Sequence, residues 1–205
     1  MSTRTTSERC QKVIAKYNLL GHPFYVAWSE GRLPVTALRD YAREYGAFIR
    51  TIGEGWSKVG EAKIAKVEEG HATVWERTFA ASLGTSIAEP EMQGAADLLS
   101  TSRELFGEEV TALGALYAFE AQQPHTAQSK LKGLREHYSH LPEKIGEYFR
   151  LHESDFEEPA LLAAKMDALD AVHGEQVVAA CERTASALYN ALSAIYEPYA
   201  TEMTM

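Results

Sequence analysis

Residues 108–123 read Glu-Glu-Val-Thr-Ala-Leu-Gly-Ala-Leu-Tyr-Ala-Phe-Glu-Ala-Gln-Gln and stop at Pro124. Leu113, Leu116, Tyr117 and Phe119 surround Glu120, so this segment reads as a helix apolar on most faces, and such a helix belongs in a core. It needs other helices around it, and the rest of the chain supplies them. Alanine is abundant, and Val/Ile alternation over strand-length windows is scarce. The pattern predicts helices over residues 6–20, 23–31, 61–83, 90–106, 126–137, 142–155, 159–170 and 175–196. One more opens at an N-cap Thr36, carries Leu38, Tyr41, Tyr45, Phe48, Ile49 and Ile52 at helical spacing, and is interrupted by Gly53 and Gly55. Gly84 reads as the C′ glycine that ends residues 61–83. The links are short and there is no repeat, so the expectation is one all-α, single-domain helical bundle of about seven core helices. Residues 1–8 and 200–205 read as loose tails.

The composition sets limits on function. Apolar residues are 45% and charged residues 24% of 205, an ordinary globular balance. A net charge of −9, from 29 acids against 20 bases, argues against nucleic acid or an anionic membrane as partner. No apolar run approaches the ~20 residues that span a bilayer. Two cysteines, Cys10 and Cys181, stand near opposite ends, which fits a reducing cytoplasm.

Acids and histidines stand at helical spacing in three places. Glu68 and His71 are i, i+3, the arrangement by which a bundle helix turns a carboxylate and an imidazole toward one metal. A solvated acidic turn is the plainer reading of that pair alone. Glu120 lies on the apolar helix, where a carboxylate needs a cation or strong hydrogen bonds; an Arg or Tyr partner is the alternative to a metal. His152, Asp155 and Glu158 follow one another three residues apart, each step about 60° round a helix. Asp155 and the acids before Pro159 also suit a helix start. Three helices that each present a carboxylate, two with a histidine as well, form the ligand set of a carboxylate-bridged pair of iron or manganese ions.

At these same residues the chain resembles the heme-oxygenase-like diiron oxidases. Within them it is most similar to the p-aminobenzoate-forming branch typified by the Chlamydia protein associating with death domains (CADD). The resemblance covers roughly residues 10–170. It rests on His22-Pro-Phe-Tyr-Val-Ala-Trp-Ser-Glu-Gly-Arg-Leu, Leu38-Arg-Asp-Tyr-Ala-Arg-Glu-Tyr, His71-Ala-Thr-Val-Trp, Leu116-Tyr-Ala-Phe-Glu-Ala-Gln-Gln-Pro, Lys130-Leu-Lys-Gly-Leu and Tyr148-Phe-Arg-Leu-His.

The resemblance implies a fold that binds no heme and holds Fe(II) or Mn(II), with dioxygen as co-substrate and a reductant as partner. It implies a homodimer. It assigns Glu68, His71, Glu120 and His152 as metal ligands. The family's last ligand helix reads His-x-x-x-Asp-x-x-His. With one residue deleted, Asp155 takes the Asp position and Glu158 replaces the final His; without the gap, Phe156 and Pro159 stand there. The branch makes p-aminobenzoate for folate from its own side chains. Tyr25 matches the sacrificed tyrosine, Tyr41 a second active-site tyrosine and Lys130 the lysine that supplies nitrogen. Phe119 stands where the family has a tyrosine, so that part of a radical relay is missing. An oxidase of the same family acting on an external fatty or amino acid is the second reading. A non-catalytic helical binding protein with a degraded metal site is the third. Thiaminase-II enzymes share the fold but carry a mid-chain cysteine nucleophile, which Cys10 and Cys181 do not match.

Overall fold

A computed structural model describes residues 4–201, and the expected tail ends at 1–3 and 202–205 lie outside the described residues. The described chain is helical with no strand. The helices are α1 (Thr6–Lys16), α2 (Pro23–Ser29), α3 (Val35–Glu44), α4 (Gly46–Ile49), α5 (Ile52–Lys58), α6 (Ala62–Val74), α7 (Gln93–Leu105), α8 (Glu109–Glu120), α9 (Gln123–His137), α10 (Glu147–His152), α11 (Glu157–Asp167) and α12 (Ala171–Ala200). A π-helical turn, Trp75–Ala80, continues α6.

The 30-residue α12 is the spine, packed along α7, α8 and α1. Its backbone comes very close to two neighbours, and glycines make this possible. A Cβ on Gly114 of α8 would collide with the Val177 carbonyl oxygen, and one on Gly94 of α7 would lie 2.7 Å from the Asn190 oxygen. All residues of α8 from Ala112 to Glu120 are buried, as its apolar sequence requires. One contiguous core runs through the bundle from Cys10 to Ile195. Cys10 and Cys181, far apart in sequence, are both buried free thiols that meet where α1 packs on α12; Cys181 Sγ donates to the Cys10 carbonyl at 3.9 Å. Among the described residues, no helix is long and apolar enough to cross a membrane.

Several boundaries differ from the sequence expectation, each for a local reason. The stretch expected to be loose at residues 1–8 contains the start of α1, where Thr5 and Glu8 form a capping box. Pro34, not Thr36, is the N-cap of α3: its ring fixes φ near the value required and its missing N–H costs nothing there. Gly53 and Gly55 do not break the chain but lie inside α5. A Cβ on Gly55 would meet Phe106 at 2.8 Å and Leu116 at 2.9 Å, so glycine serves packing rather than a turn. Pro124 does not end α8 but sits in the first turn of α9. α7 opens at Gln93 rather than Pro90, where the buried Glu44 carboxylate accepts from the Glu91 and Met92 amides at 2.8 and 2.9 Å. Gly84 has φ +66, as a C′ glycine should.

Candidate metal centre

α6 carries Glu68 and His71 one turn apart, and His71 Nδ1 lies 2.7 Å from Glu68 Oε1. Glu68 is buried and His71 only slightly exposed. α10 ends on the fully buried His152, whose ring centroid is 4.6 Å from that of His71. Glu68, His71 and His152 each offer a ligand atom, and those atoms lie within 4.8 Å of one another. Both nitrogens of His152 are buried with no hydrogen-bond partner. An orphaned imidazole is costly unless something else coordinates it. Burial first, then the charges of His71 and Lys130, hold its pKa down at about 3, so the neutral ring has one nitrogen lone pair to offer. Two imidazoles and a carboxylate with an unsatisfied nitrogen fit a first-row divalent metal.

Glu120 is the last residue of α8 and is fully sealed in. Its Oε1 accepts from Trp56 Nε1 at 3.1 Å. Burial drives its pKa well above the carboxylate range, and the charges of Glu68 and Glu158 raise it further; the Trp56 bond pulls the other way. Glu120 thus borders the three-residue group and shares its field without being one of the three.

His152, Asp155 and Glu158 do not ride on one helix. α10 stops at His152 and α11 begins at Glu157, so the 60° steps expected from a continuous helix are absent. Pro159 explains the break, since in an unbroken helix its ring would clash with the Asp155 carbonyl. The turn still returns the acids toward the centre. Asp155 Oδ1 accepts from the Glu158 amide at 3.4 Å, and burial with the charges of Glu68 and Asp155 pushes Glu158 up to about 8.

Tyr25, Tyr41 and Lys130 come together in a second, aromatic compartment. The hydroxyls of Tyr25 on α2 and Tyr41 on α3 are 3.1 Å apart. The Lys130 amine, on α9, lies 4.9 Å from the Tyr25 ring centroid, 5.5 Å from that of Tyr41 and 5.0 Å from that of Phe149. All three residues are at most 3% exposed. Burial alone lowers the Lys130 pKa to about 7 and is the main force raising those of the two tyrosines. The neighbouring Lys132, by contrast, is exposed to solvent.

Three neighbours escaped the sequence reading: Trp56, which donates to Glu120, and Trp75 and Tyr148, which stand between the two compartments. A signal existed for the last two. Trp75 follows His71 by four residues and Tyr148 precedes His152 by four, so helical spacing puts each beside a candidate ligand.

A family of iron-containing redox enzymes matches residues 37–197 of the chain. A 4-aminobenzoate synthase of Nitrosomonas europaea is 28% identical over 241 residues, covering 99% of this chain and 96% of its own. A 4-aminobenzoate synthase of Chlamydia pneumoniae is 31% identical over 167 residues, covering 71% of this chain and 74% of its own. Among solved structures, a domain of unknown function with a heme oxygenase-like fold from Shewanella denitrificans superposes with a TM-score of 0.78 at 17% identity, covering 98% of this chain and 96% of that one. The chain therefore belongs to the iron-containing redox enzyme family and adopts its heme-oxygenase-like fold.

Proposed function

We propose that the chain is an oxygen-activating dimetal oxidase, using iron or manganese, that makes p-aminobenzoate from its own Tyr25 and Lys130. The observation that carries this reading is the sealed compartment in which the Lys130 amine lies over the rings of Tyr25 and Tyr41, next to the Glu68, His71 and His152 group. The relatives named 4-aminobenzoate synthase support the product.

Glu68, His71, Glu120 and His152 would hold the metal, with Asp155 and Glu158 completing a second position. The metal supplies the reduction of dioxygen, with electrons from an external reductant. The rest falls to the chain. A tyrosine side chain already bears one carbon, Cβ, para to its oxygen; p-aminobenzoate bears a carboxyl carbon para to nitrogen. The conversion breaks Tyr25 Cα–Cβ, leaving glycine in an intact main chain, and oxidises Cβ to the carboxyl. It also breaks Lys130 Cε–Nζ, so that this nitrogen replaces the phenol oxygen, which leaves as water while Cε ends as an aldehyde, with dioxygen as the oxidant of both carbons. Burial serves this in two ways. It keeps water from competing as nucleophile, and it lowers the Lys130 pKa to about 7, so that a large share of the amine carries a free lone pair near neutral pH. The Tyr41 hydroxyl orients the phenol of Tyr25. An interior substrate also explains why Tyr25 and Lys130 are almost inaccessible to solvent.

The test is isotopic. Protein made with ring-labelled tyrosine, loaded with iron and manganese, then given reductant and oxygen, should release labelled p-aminobenzoate. Tyr25→Phe and Lys130→Arg should each stop it. Oxygen uptake with no labelled product, by protein that still binds metal, would favour an oxidase of an external fatty or amino acid.

A further inference from the structure

If Tyr25 is oxidised from the metal centre, an electron must cross the space between the two compartments. Phe119 cannot carry it, because a benzene ring without a hydroxyl is far harder to oxidise than a phenol or an indole. The structure contains another route. The His152 and Tyr148 ring centroids are 4.6 Å apart, those of Tyr148 and Trp75 are 4.8 Å apart, and those of Trp75 and Tyr41 are 5.5 Å apart. The 3.1 Å hydroxyl pair then joins Tyr41 to Tyr25. Tyr148, Trp75, Tyr41 and Tyr25 are 0–3% exposed. Tyr148 also touches Phe149, but Trp75 is the readily oxidised ring beyond it among the described contacts. Tyr45 touches both Tyr41 and Trp75, so it is a side branch that still depends on Trp75.

Trp75 opens the π-helical turn that follows the candidate ligands Glu68 and His71. Such turns recur at functional sites. Its Nε1 donates to the Ala42 carbonyl at 2.9 Å, which fixes the indole against α3. A carbonyl oxygen is a very poor base, so an oxidised Trp75 keeps its proton and passes an electron alone.

We propose that Trp75 is the electron relay of this protein, carrying the electron lost by Tyr25 from Tyr41 to Tyr148 and so to the Glu68, His71 and His152 centre. The inference rests on the reading of Tyr25 as the ring that is oxidised. In the step, the Tyr25 O–H bond breaks and Tyr25 loses one electron and one proton to become a neutral phenoxyl. The electron is taken up by the dioxygen-derived oxidant, which is reduced. The proton goes to the Lys130 amine, the base lying over both rings, where ring faces stabilise the ammonium. Tyr41, Trp75 and Tyr148 are each oxidised and re-reduced in turn and end unchanged.

The test needs no bound metal. Leu151, exposed on α10 beside His152, is replaced by cysteine and labelled with a ruthenium tris-bipyridyl; Cys10 and Cys181 are buried and stay unlabelled. Flash-quench oxidation of the full-length, metal-free chain then starts at the His152 end. A phenoxyl absorbance should rise that is lost in the Tyr25→Phe/Tyr41→Phe double variant. Trp75→Phe should slow that rise roughly tenfold or more, while Trp75→Tyr, still oxidisable, should restore most of it. Restoration by tyrosine separates a relay from a merely structural indole. An unchanged rise in Trp75→Phe overturns the proposal. A parallel measurement on metal-loaded, oxygenated protein follows the mass of the peptide that contains Tyr25. If Trp75→Phe alters Tyr25 at the wild-type rate, the relay fails while the proposed function stands. If wild type never alters Tyr25 but the flash-induced phenoxyl depends on Trp75, the relay stands and the proposed function fails.

Discussion

The Trp56 indole N–H donates to Glu120 Oε1 across 3.1 Å, between α5 and the buried end of α8. One neutral donor does not compensate a carboxylate removed from water, and the charges of Glu68 and Glu158 oppose it further. Without a cation, burial and the neighbouring acids disfavour the charged form of Glu120. Folding has thus placed an acid where only a positive partner makes its charged form favourable.

Glu120→Gln follows directly. The amide keeps the shape and can still accept from Trp56, but it removes the acid. The metal-free variant should melt no lower than wild type and gain up to about 2 kcal/mol, because a buried acid among other acids is lost. The stabilisation that wild type gains from iron or manganese should fall by more than half. Thermal melts with and without metal check both parts. A variant that gains as much from metal as wild type would remove Glu120 from the ligand set.

Glu158→Ala tests the turn between α10 and α11. If Glu158 completes a second position, loading should fall from two metals per chain toward one, and the Glu68, His71 and His152 position should stay filled. Metal content after anaerobic loading and desalting gives the answer. Unchanged loading would leave Asp155 and Glu158 with the role their local geometry already shows, the Asp155 carboxylate accepting the Glu158 amide at a helix start.

Gly114→Ala probes the spine. The added methyl would strike the Val177 carbonyl, which is backbone and cannot turn aside, so α8 and α12 must separate. The expected cost is about 1–3 kcal/mol, read from urea unfolding. Because Glu120 ends the same helix, the separation should weaken metal binding as well, which isothermal titration would show.

How legible these features are in the sequence depends on how local their causes are. Glu68 with His71 is readable because one helical turn fixes the pair. Glu120 is readable because its own helix is apolar all round. Gly53 and Gly55 read as breakers because the groups that require glycine lie on other helices, the Ala65 carbonyl and Glu69 beside Gly53 and the side chains of Phe106 and Leu116 beside Gly55. The course of the chain after His152 was half legible. Pro159 announces a new helix, but nothing in Glu153-Ser154-Asp155-Phe156 says that α10 has already stopped at His152. The resemblance singled out Tyr25, Tyr41 and Lys130, yet no spacing rule brings α2, α3 and α9 to one point. Trp75 and Tyr148 carried the same periodic signal as their ligand neighbours, but an aromatic residue at helical spacing is read first as core, and both are that too.

Lys130 should leave a mark on the pH dependence of stability. Burial lowers its pKa in the folded chain to about 7 from the ordinary 10.5. Between those values the unfolded chain holds a proton that the folded chain does not, so this residue makes stability rise as pH rises through that window. Below about pH 7 both states are protonated and the penalty for burying the ammonium is present in full. Lys130→Met keeps the length and the apolar stem but removes the proton. It should therefore stabilise the protein, by a few kcal/mol at about pH 6, and the advantage should shrink steadily toward about pH 10. The buried tyrosines ionise in the unfolded chain at higher pH in both proteins, so their effect cancels in the difference. Urea unfolding of the two proteins across this range measures it. A difference independent of pH would mean that Lys130 stays protonated inside the aromatic compartment, and the amine would then lack the free lone pair that both its roles as nitrogen donor and as proton acceptor require.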